Sequence, residues 1–278
     1  MIGWWLRVML VVAFGTGGAC ALAQTPDPEA SAVWQKVRNS IFAGAVFESA
    51  TGVIALETPS RAEDAAIVPV AIHAQFRQSP ERAIDKIWLL VDNNPSPVAA
   101  VFQFAQESGR ADIETRIRIE EYTFVRAVAL TSDGKYHLAT NFVKASGGCS
   151  APAGKDAAAA RANLGKMRLR IDDAAAPGEP VRAQLMVSHP NDSGLAMDQV
   201  TRTYASPHFV RKIDVRYAGK PVLTADVDFS ISENPNFRFY FEPGDGGELD
   251  ATVVDNQDLE FRTSVKLAAK HAEATPAR

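Results

Sequence analysis

Cysteine is nearly absent: the 278 residues contain two, Cys20 and Cys149. No intradomain disulfide framework can be built from such a pair, which excludes the disulfide-stapled secreted folds. The five histidines stand singly and show no metal-ligand spacing, so no metal is expected. There is no G-x-S-x-G, no phosphate-binding P-loop and no dinucleotide-binding glycine pattern, and no cofactor is expected. Positive charge is not in excess. With 29 Lys+Arg against 33 Asp+Glu the net charge is −4, which leaves no clustered basic surface for nucleic acid. Long apolar runs are missing too. The one candidate, Val8 to Phe14, falls well short of the roughly 20 residues a spanning helix needs.

That short run has a different meaning. Residues 1–23 carry Arg7 as their only charge, then the apolar run, then small residues ending Ala21-Leu22-Ala23. This is the pattern of a secretory signal, with cleavage expected before Gln24 and export to the periplasm. A retained anchor is the minority reading. A lipoprotein at Cys20 is disfavoured because Gly17-Gly18-Ala19 lacks the usual aliphatic residue. Removing the signal takes Cys20 with it and leaves Cys149 as the one thiol of a protein with no membrane segment. An unpaired cysteine in an oxidising compartment calls for a thiol-based role.

The remaining chain divides by period. Asp27-Pro28-Glu29 has helix-start chemistry, and Val33, Trp34, Val37 and Ile41 recur at helical spacing, so one amphipathic helix is expected over 28–41. From Val53 to Val143 the period changes to two. Val68, Val70, Ile72 and Ala74 alternate with Pro69, Ala71 and His73, and similar runs recur between turns such as Asp92-Asn93-Asn94-Pro95 and Ser132-Asp133-Gly134. Strand patterning resumes at Met167 and runs to Val265. The reading is all-β, with two immunoglobulin-like β-sandwich domains, 24–144 (including the helix) and 166–266, and a disordered tail over 267–278.

Between the two domains, residues 145–165 are rich in Gly, Ala, Ser and Pro, with no large apolar residue until Leu164. Such a stretch buries too little surface to offset the entropy of ordering it, and is expected to be a flexible loop. Cys149 lies in it as the candidate carrier thiol. Gly147, Gly148 and Ser150 form the flexible arm around it. No general base can be assigned to the sulfur by spacing, so no catalytic residue is named. His189, in His189-Pro190-Asn191-Asp192-Ser193-Gly194, is a candidate partner-facing loop residue, with a plain turn as the competing reading. The acids Asp245, Glu248, Asp250, Asp255 and Asp258 do not follow a calcium-loop order and read as turn formers.

These residues resemble the sulfur-oxidation carrier SoxYZ, and more closely the fused SoxYZ-like carriers associated with quinoprotein dehydrogenases. The first half resembles SoxY through Val91-Asp92-Asn93-Asn94-Pro95, the run Ala111 to Arg118, and Ser132-Asp133-Gly134 followed by Gly147-Gly148-Cys149. The second resembles SoxZ through His189-Pro190, His208-Phe209-Val210, Ser232-Glu233-Asn234-Pro235 and Val254-Asp255-Asn256. The resemblance implies a non-enzymatic periplasmic carrier that holds sulfur intermediates on Cys149 and presents them to periplasmic redox or sulfur-processing enzymes. The alternative it allows is an accessory binding protein of a quinoprotein (PQQ-dependent) dehydrogenase system, with no covalent chemistry. One departure stands out: the motif is Gly-Gly-Cys-Ser-Ala, where the family has Gly-Gly-Cys-Gly-Gly.

Overall fold

A computed structural model describes residues 26–151, 162–172, 178–197, 202–244 and 246–267. The expected signal, residues 152–161 of the expected loop and the tail from 268 onwards lie outside them.

The chain opens with a single turn of 3-10 helix, Pro28–Ala30, and the helix α1, Ala32–Ile41. The turn is capped by the Asp27 side chain. Ser31 then caps α1, accepting from Trp34 N. The continuous helix expected over 28–41 is thus broken at Ser31, whose extended backbone suits a cap better than a helix interior. The first half continues as β1 (Phe47–Ser49), β2 (Ile54–Glu57), β3 (Val68–Ala74), β4 (Ile84–Val91), β5 (Val98–Phe104), β6 (Ile113–Ile117), β7 (Thr123–Thr131) and β8 (Tyr136–Val143). The second half supplies β9 (Met167–Ile171), β10 (Val181–Val187), β11 (Val210–Tyr217), β12 (Lys220–Val227), β13 (Asn236–Phe241), β14 (Gly247–Asp255) and β15 (Glu260–Leu267). Both halves are all-β sandwiches, as the period-two pattern requires.

The halves are more closely joined than two domains on a linker. One sheet has nine strands in the order β1-β8-β7-β4-β5-β12-β11-β14-β15, and the other six in the order β2-β3-β6-β13-β10-β9. Each therefore runs through both halves. In the larger sheet β5 pairs antiparallel with β12 from Phe104↔Leu223 to Ala100↔Val227. In the smaller, β6 meets β13 at Glu114↔Arg238, with a further bridge between Ile117 and Ile231. Edge strands left open would be liable to pair with other chains, and here each half covers the other's edge. One apolar core follows the joined sheets: Phe102 of β5 and Phe237 of β13 meet edge to face at 6.3 Å within it.

The helix α1 covers the other face of the larger sheet. Trp34 is fully buried there against Phe42, Leu90 and Val128. Beside it Arg126 is buried, binding both oxygens of Asp92 at 2.9 and 2.7 Å, donating to Pro28 O at 2.7 Å, and lying 4.5 Å from the Trp34 ring. A buried guanidinium is tolerable only when paired in this manner. The pairing fixes the N-terminal segment to the sheet.

Candidate functional site at the Cys149 turn

The chain leaves β8 beside residues 60–62, where Lys144 N donates to Ser60 O and Ala62 N to Lys144 O. It then turns under residues 118–120, which follow β6. Gly147 N donates to Glu120 O at 2.8 Å and Gly148 N to Ile119 O at 2.9 Å, while Ile119 N donates to Ala65 O. Gly148 passes so close to this backbone that a Cβ on it would lie 2.0 Å from Ala65 O. Gly147 has φ +83, the left-handed region, with open space around its missing side chain. One glycine is needed for a close approach and the other for a turn.

Beyond them the Glu120 carboxylate gathers the end of the motif. Its Oε2 accepts from Cys149 N at 2.8 Å and Ser150 N at 3.1 Å, and its Oε1 accepts from the Ser150 hydroxyl at 2.8 Å. From the second half, Ser193 Oγ donates to Cys149 O at 2.6 Å. The expectation of a flexible arm at Gly147, Gly148 and Ser150 is corrected by these bonds, which dock the three residues around Cys149. Composition argued for mobility because the segment has little apolar surface, but its order comes from backbone hydrogen bonds and one carboxylate.

Cys149 itself is fully buried. Its thiol is pushed up to about 12, first by burial and then by the negative charge of Glu120, with Asp228 adding to them and Arg118 opposing. A thiol is nucleophilic as its thiolate, so burial and the raised pKa both disfavour reaction of the docked sulfur. Arg118 lies beneath the turn, also buried. Its Nη1 donates to Asn191 O at 2.5 Å and to Phe229 O and Ile231 O at 3.1 Å, and its Nη2 to Pro190 O at 3.4 Å. It makes no ion pair among the described residues. Burial lowers its pKa, although nearby charges including Cys149 work the other way. Asn94 completes the frame, donating to Arg118 O and Ser230 Oγ and accepting from Glu120 N.

His189 does not face outward. It is 1% exposed, at the base of the loop that Arg118 holds, which corrects its assignment as a partner-facing residue. The Asn234 amide and backbone tie it inward, as a closing turn requires. The structure brings it together with His208 and Asp255, residues far apart in sequence, so that one atom of each lies within 4.8 Å of the others. Ligand spacing along the chain could not have revealed the cluster. Its hydrogen bonding decides its chemistry. His189 Nδ1 accepts from Asn191 N at 3.0 Å, so in the neutral ring the proton sits on Nε2, which lies 3.5 Å from Asp255 Oδ2. A metal-bound histidine instead donates its other nitrogen outward to an acceptor. Burial, then His208, lowers the His189 pKa to about 4, against the pull of Asp255. Burial disfavours the Asp255 carboxylate, but bonds from His208 Nε2 at 2.7 Å and from the Leu259 and Gln257 amides outweigh it and hold its pKa below the ordinary value. His208 and Asp255 are hydrogen-bonded to each other under the 189–193 loop, and the His189 ring packs edge-on against His208 at 4.6 Å, its buried Nε2 without a hydrogen-bond partner among the described residues.

A groove of about 560 Å³ is lined by Glu57, Pro69, Glu114, Arg116, Asn236 and Arg238 among others; no residue of the Cys149 turn lines it. Among the described residues, no helix is long and apolar enough to cross a membrane.

Residues 38–149 match the family model of the sulfur oxidation protein SoxY, and residues 167–266 that of the sulphur oxidation protein SoxZ. No curated protein matches. Among solved structures, the sulfur carrier protein SoxY of Chlorobium limicola f thiosulfatophilum aligns at 21% identity over 40% of this chain and 90% of its own, with a TM-score of 0.34. A superoxide reductase (neelaredoxin) of Ignicoccus hospitalis, variant E23A, aligns at 14% identity over 34% of this chain and 81% of its own, with a TM-score of 0.31. Fibronectin(III)-like modules of Clostridium thermocellum CbhA align at 11% identity over 81% of this chain and 100% of their own, with a TM-score of 0.23. The two family matches cover most of the chain in the order SoxY then SoxZ, and the chain belongs to the fused SoxYZ-like carriers.

Proposed function

We propose that this protein is a periplasmic, non-enzymatic carrier that holds sulfur intermediates covalently on Cys149 and presents them to sulfur-processing enzymes. The observation that carries the reading is positional. The SoxY match ends on Cys149, which is the free cysteine of the described chain. Its burial gives the carrier two states. In the docked state the thiol is protonated and inaccessible; for loading, residues 147–150 leave Glu120 and the sulfur regains ordinary acidity in water.

Sulfane transfer from an inorganic polysulfide tests the chemistry without a partner enzyme. The Cys149 thiolate attacks a terminal sulfane sulfur, the adjoining S–S bond breaks, and a polysulfide shorter by one sulfur departs, leaving a persulfide on the protein. Intact-mass measurement is expected to show whole-sulfur increments that a dithiol reductant removes and that Cys149→Ser lacks. Failure of the wild-type chain to take up sulfur would overturn the proposal.

The burial and raised pKa of Cys149 also favour a second reading, in which the thiol does no covalent chemistry and the protein is an accessory of a quinoprotein dehydrogenase system. That reading expects co-purification with a dehydrogenase irrespective of Cys149→Ser, and no sulfur adducts.

A further inference from the structure

We infer that Glu120 and Ser150 form a latch that sets how often the carrier thiol is presented. This rests on the carrier reading above and adds the residues that govern it. One carboxylate takes three hydrogen bonds from two consecutive residues: Cys149 N, Ser150 N and the Ser150 hydroxyl. Hydrogen bonds to an ionised acceptor are about twice as strong as neutral ones, so Glu120 contributes much of the docking of the turn. Ser150 stands where the family motif has glycine, and glycine has no hydroxyl to offer. The departure from Gly-Gly-Cys-Gly-Gly therefore supplies a third latch bond while giving up the conformational freedom that eases release.

The latch also silences the sulfur. Three charged groups act on Cys149: Glu120 and Asp228, which raise its pKa, and Arg118, which lowers it. Of these, Glu120 alone bonds the backbone of the cysteine. Parting from Glu120 thus exposes the thiol and removes its strongest nearby negative charge in one movement. Ser193, on the opposite side, holds only the Cys149 carbonyl.

The test is alkylation of the full, unloaded chain by iodoacetamide across a pH series, with amide hydrogen exchange on the same samples. In the wild-type chain alkylation is slow near pH 7 and its midpoint lies well above the value of about 8.5 typical of a solvated cysteine. Glu120→Gln keeps the shape and one acceptor but removes the charge; it is expected to raise the rate near neutral pH at least tenfold and to move the midpoint toward about 8.5. Ser150→Gly keeps the charge, and is expected to raise the rate by roughly threefold to tenfold, as the loss of one such bond predicts. In both, faster exchange is confined to residues 147–150 and the melting temperature stays within a few degrees of wild type. Unchanged rate and midpoint in both variants would refute the latch, as would an increase accompanied by faster exchange throughout the sandwich. Should Glu120→Gln fail to fold, Ser150→Gly alone decides. Iodoacetamide needs no sulfur cargo. A latch that opens as described on a chain that never accepts sulfur would sink the carrier reading and leave the latch standing; uptake of sulfur with no latch effect would do the reverse.

Discussion

Arg118→Met is expected to lower the melting temperature by about 10 °C. The side chain is 4% exposed and comes from the first half, yet its four acceptors among the described residues, the carbonyls of Pro190, Asn191, Phe229 and Ile231, all belong to the second. Methionine fills much of the volume but donates nothing, so those carbonyls lose a donor in a site with little water. A buried polar group left unpaired costs about 1–3 kcal/mol, and some of the four will find partial compensation, giving a total of about 4 kcal/mol. For a chain of this size each kcal/mol is worth roughly 2–4 °C. Arg118→Lys keeps the charge but replaces the planar fork with a single ammonium, and is expected to recover less than half of the loss. Thermal unfolding followed by circular dichroism measures this. A change of under about 2 °C for Arg118→Met would mean that the β5–β12 and β6–β13 pairings join the halves without help from the guanidinium.

The second large effect concerns Gly148. In Gly148→Ala the new methyl would sit 2.0 Å from Ala65 O, 2.6 Å from Ala65 C and 2.8 Å from Ile119 N, all backbone atoms of the segments that lead into β3 and out of β6 and are bonded to each other through Ile119 N and Ala65 O. The turn must leave its seat. Cys149 then falls from about 12 toward the value of about 8.5 typical of a solvated cysteine, so its thiolate fraction at neutral pH rises steeply. An alkylation rate at least a hundredfold above wild type is expected near neutral pH, with little loss of global stability because the strands are untouched. Gly147→Ala is the paired control. Its methyl meets open space, so only the left-handed φ of +83 resists it, at about 1 kcal/mol, and the rate should rise no more than about tenfold. Equal rates for the two alanine variants would show that the docked seat at Gly148 is not what protects the thiol.

The same shift fixes a pH dependence. Docking favours the protonated thiol, since its pKa is raised in the docked state. The docked state is at its full stability below the free thiol's value of about 8.5 and loses stability as pH rises toward about 12. Alkaline conditions therefore expose the sulfur even in the wild-type chain.

Much of this architecture could be read from the residues. Ile84–Val91, Val98–Phe104, Tyr136–Val143 and Met167–Ile171 occupy the spans that their apolar patterning and flanking turns mark out, because a two-layer sandwich imposes a period of two. The joining of the halves was not legible. Period two says which face of β5 is buried but nothing about which strand lies beside it, so the β5–β12 pairing is invisible before folding. The site divides in the same manner. Cys149 stood out by elimination. Arg118 and Glu120 did not, because Arg116-Ile117-Arg118-Ile119-Glu120 reads as one strand with charges alternating outward. In fact β6 stops at Ile117, and beyond it the Arg118 side chain turns inward and Glu120 reaches the cysteine turn. Glycine content argued for a mobile arm, whereas Gly148 is there to let two backbones touch. Composition reports what a segment lacks, and hydrogen bonds supplied by distant residues leave no trace in it.

The account rests on Cys149 bearing sulfur in the cell, and intact-mass spectrometry of the protein taken directly from its own host, under non-reducing conditions, measures that. The carrier reading predicts a fraction of the chain, cleaved before Gln24, at masses displaced by sulfane sulfur, thiosulfonate or sulfonate, with every displaced form absent from Cys149→Ser. A uniformly bare thiol during growth on reduced sulfur compounds, or adducts that persist in Cys149→Ser, would contradict it.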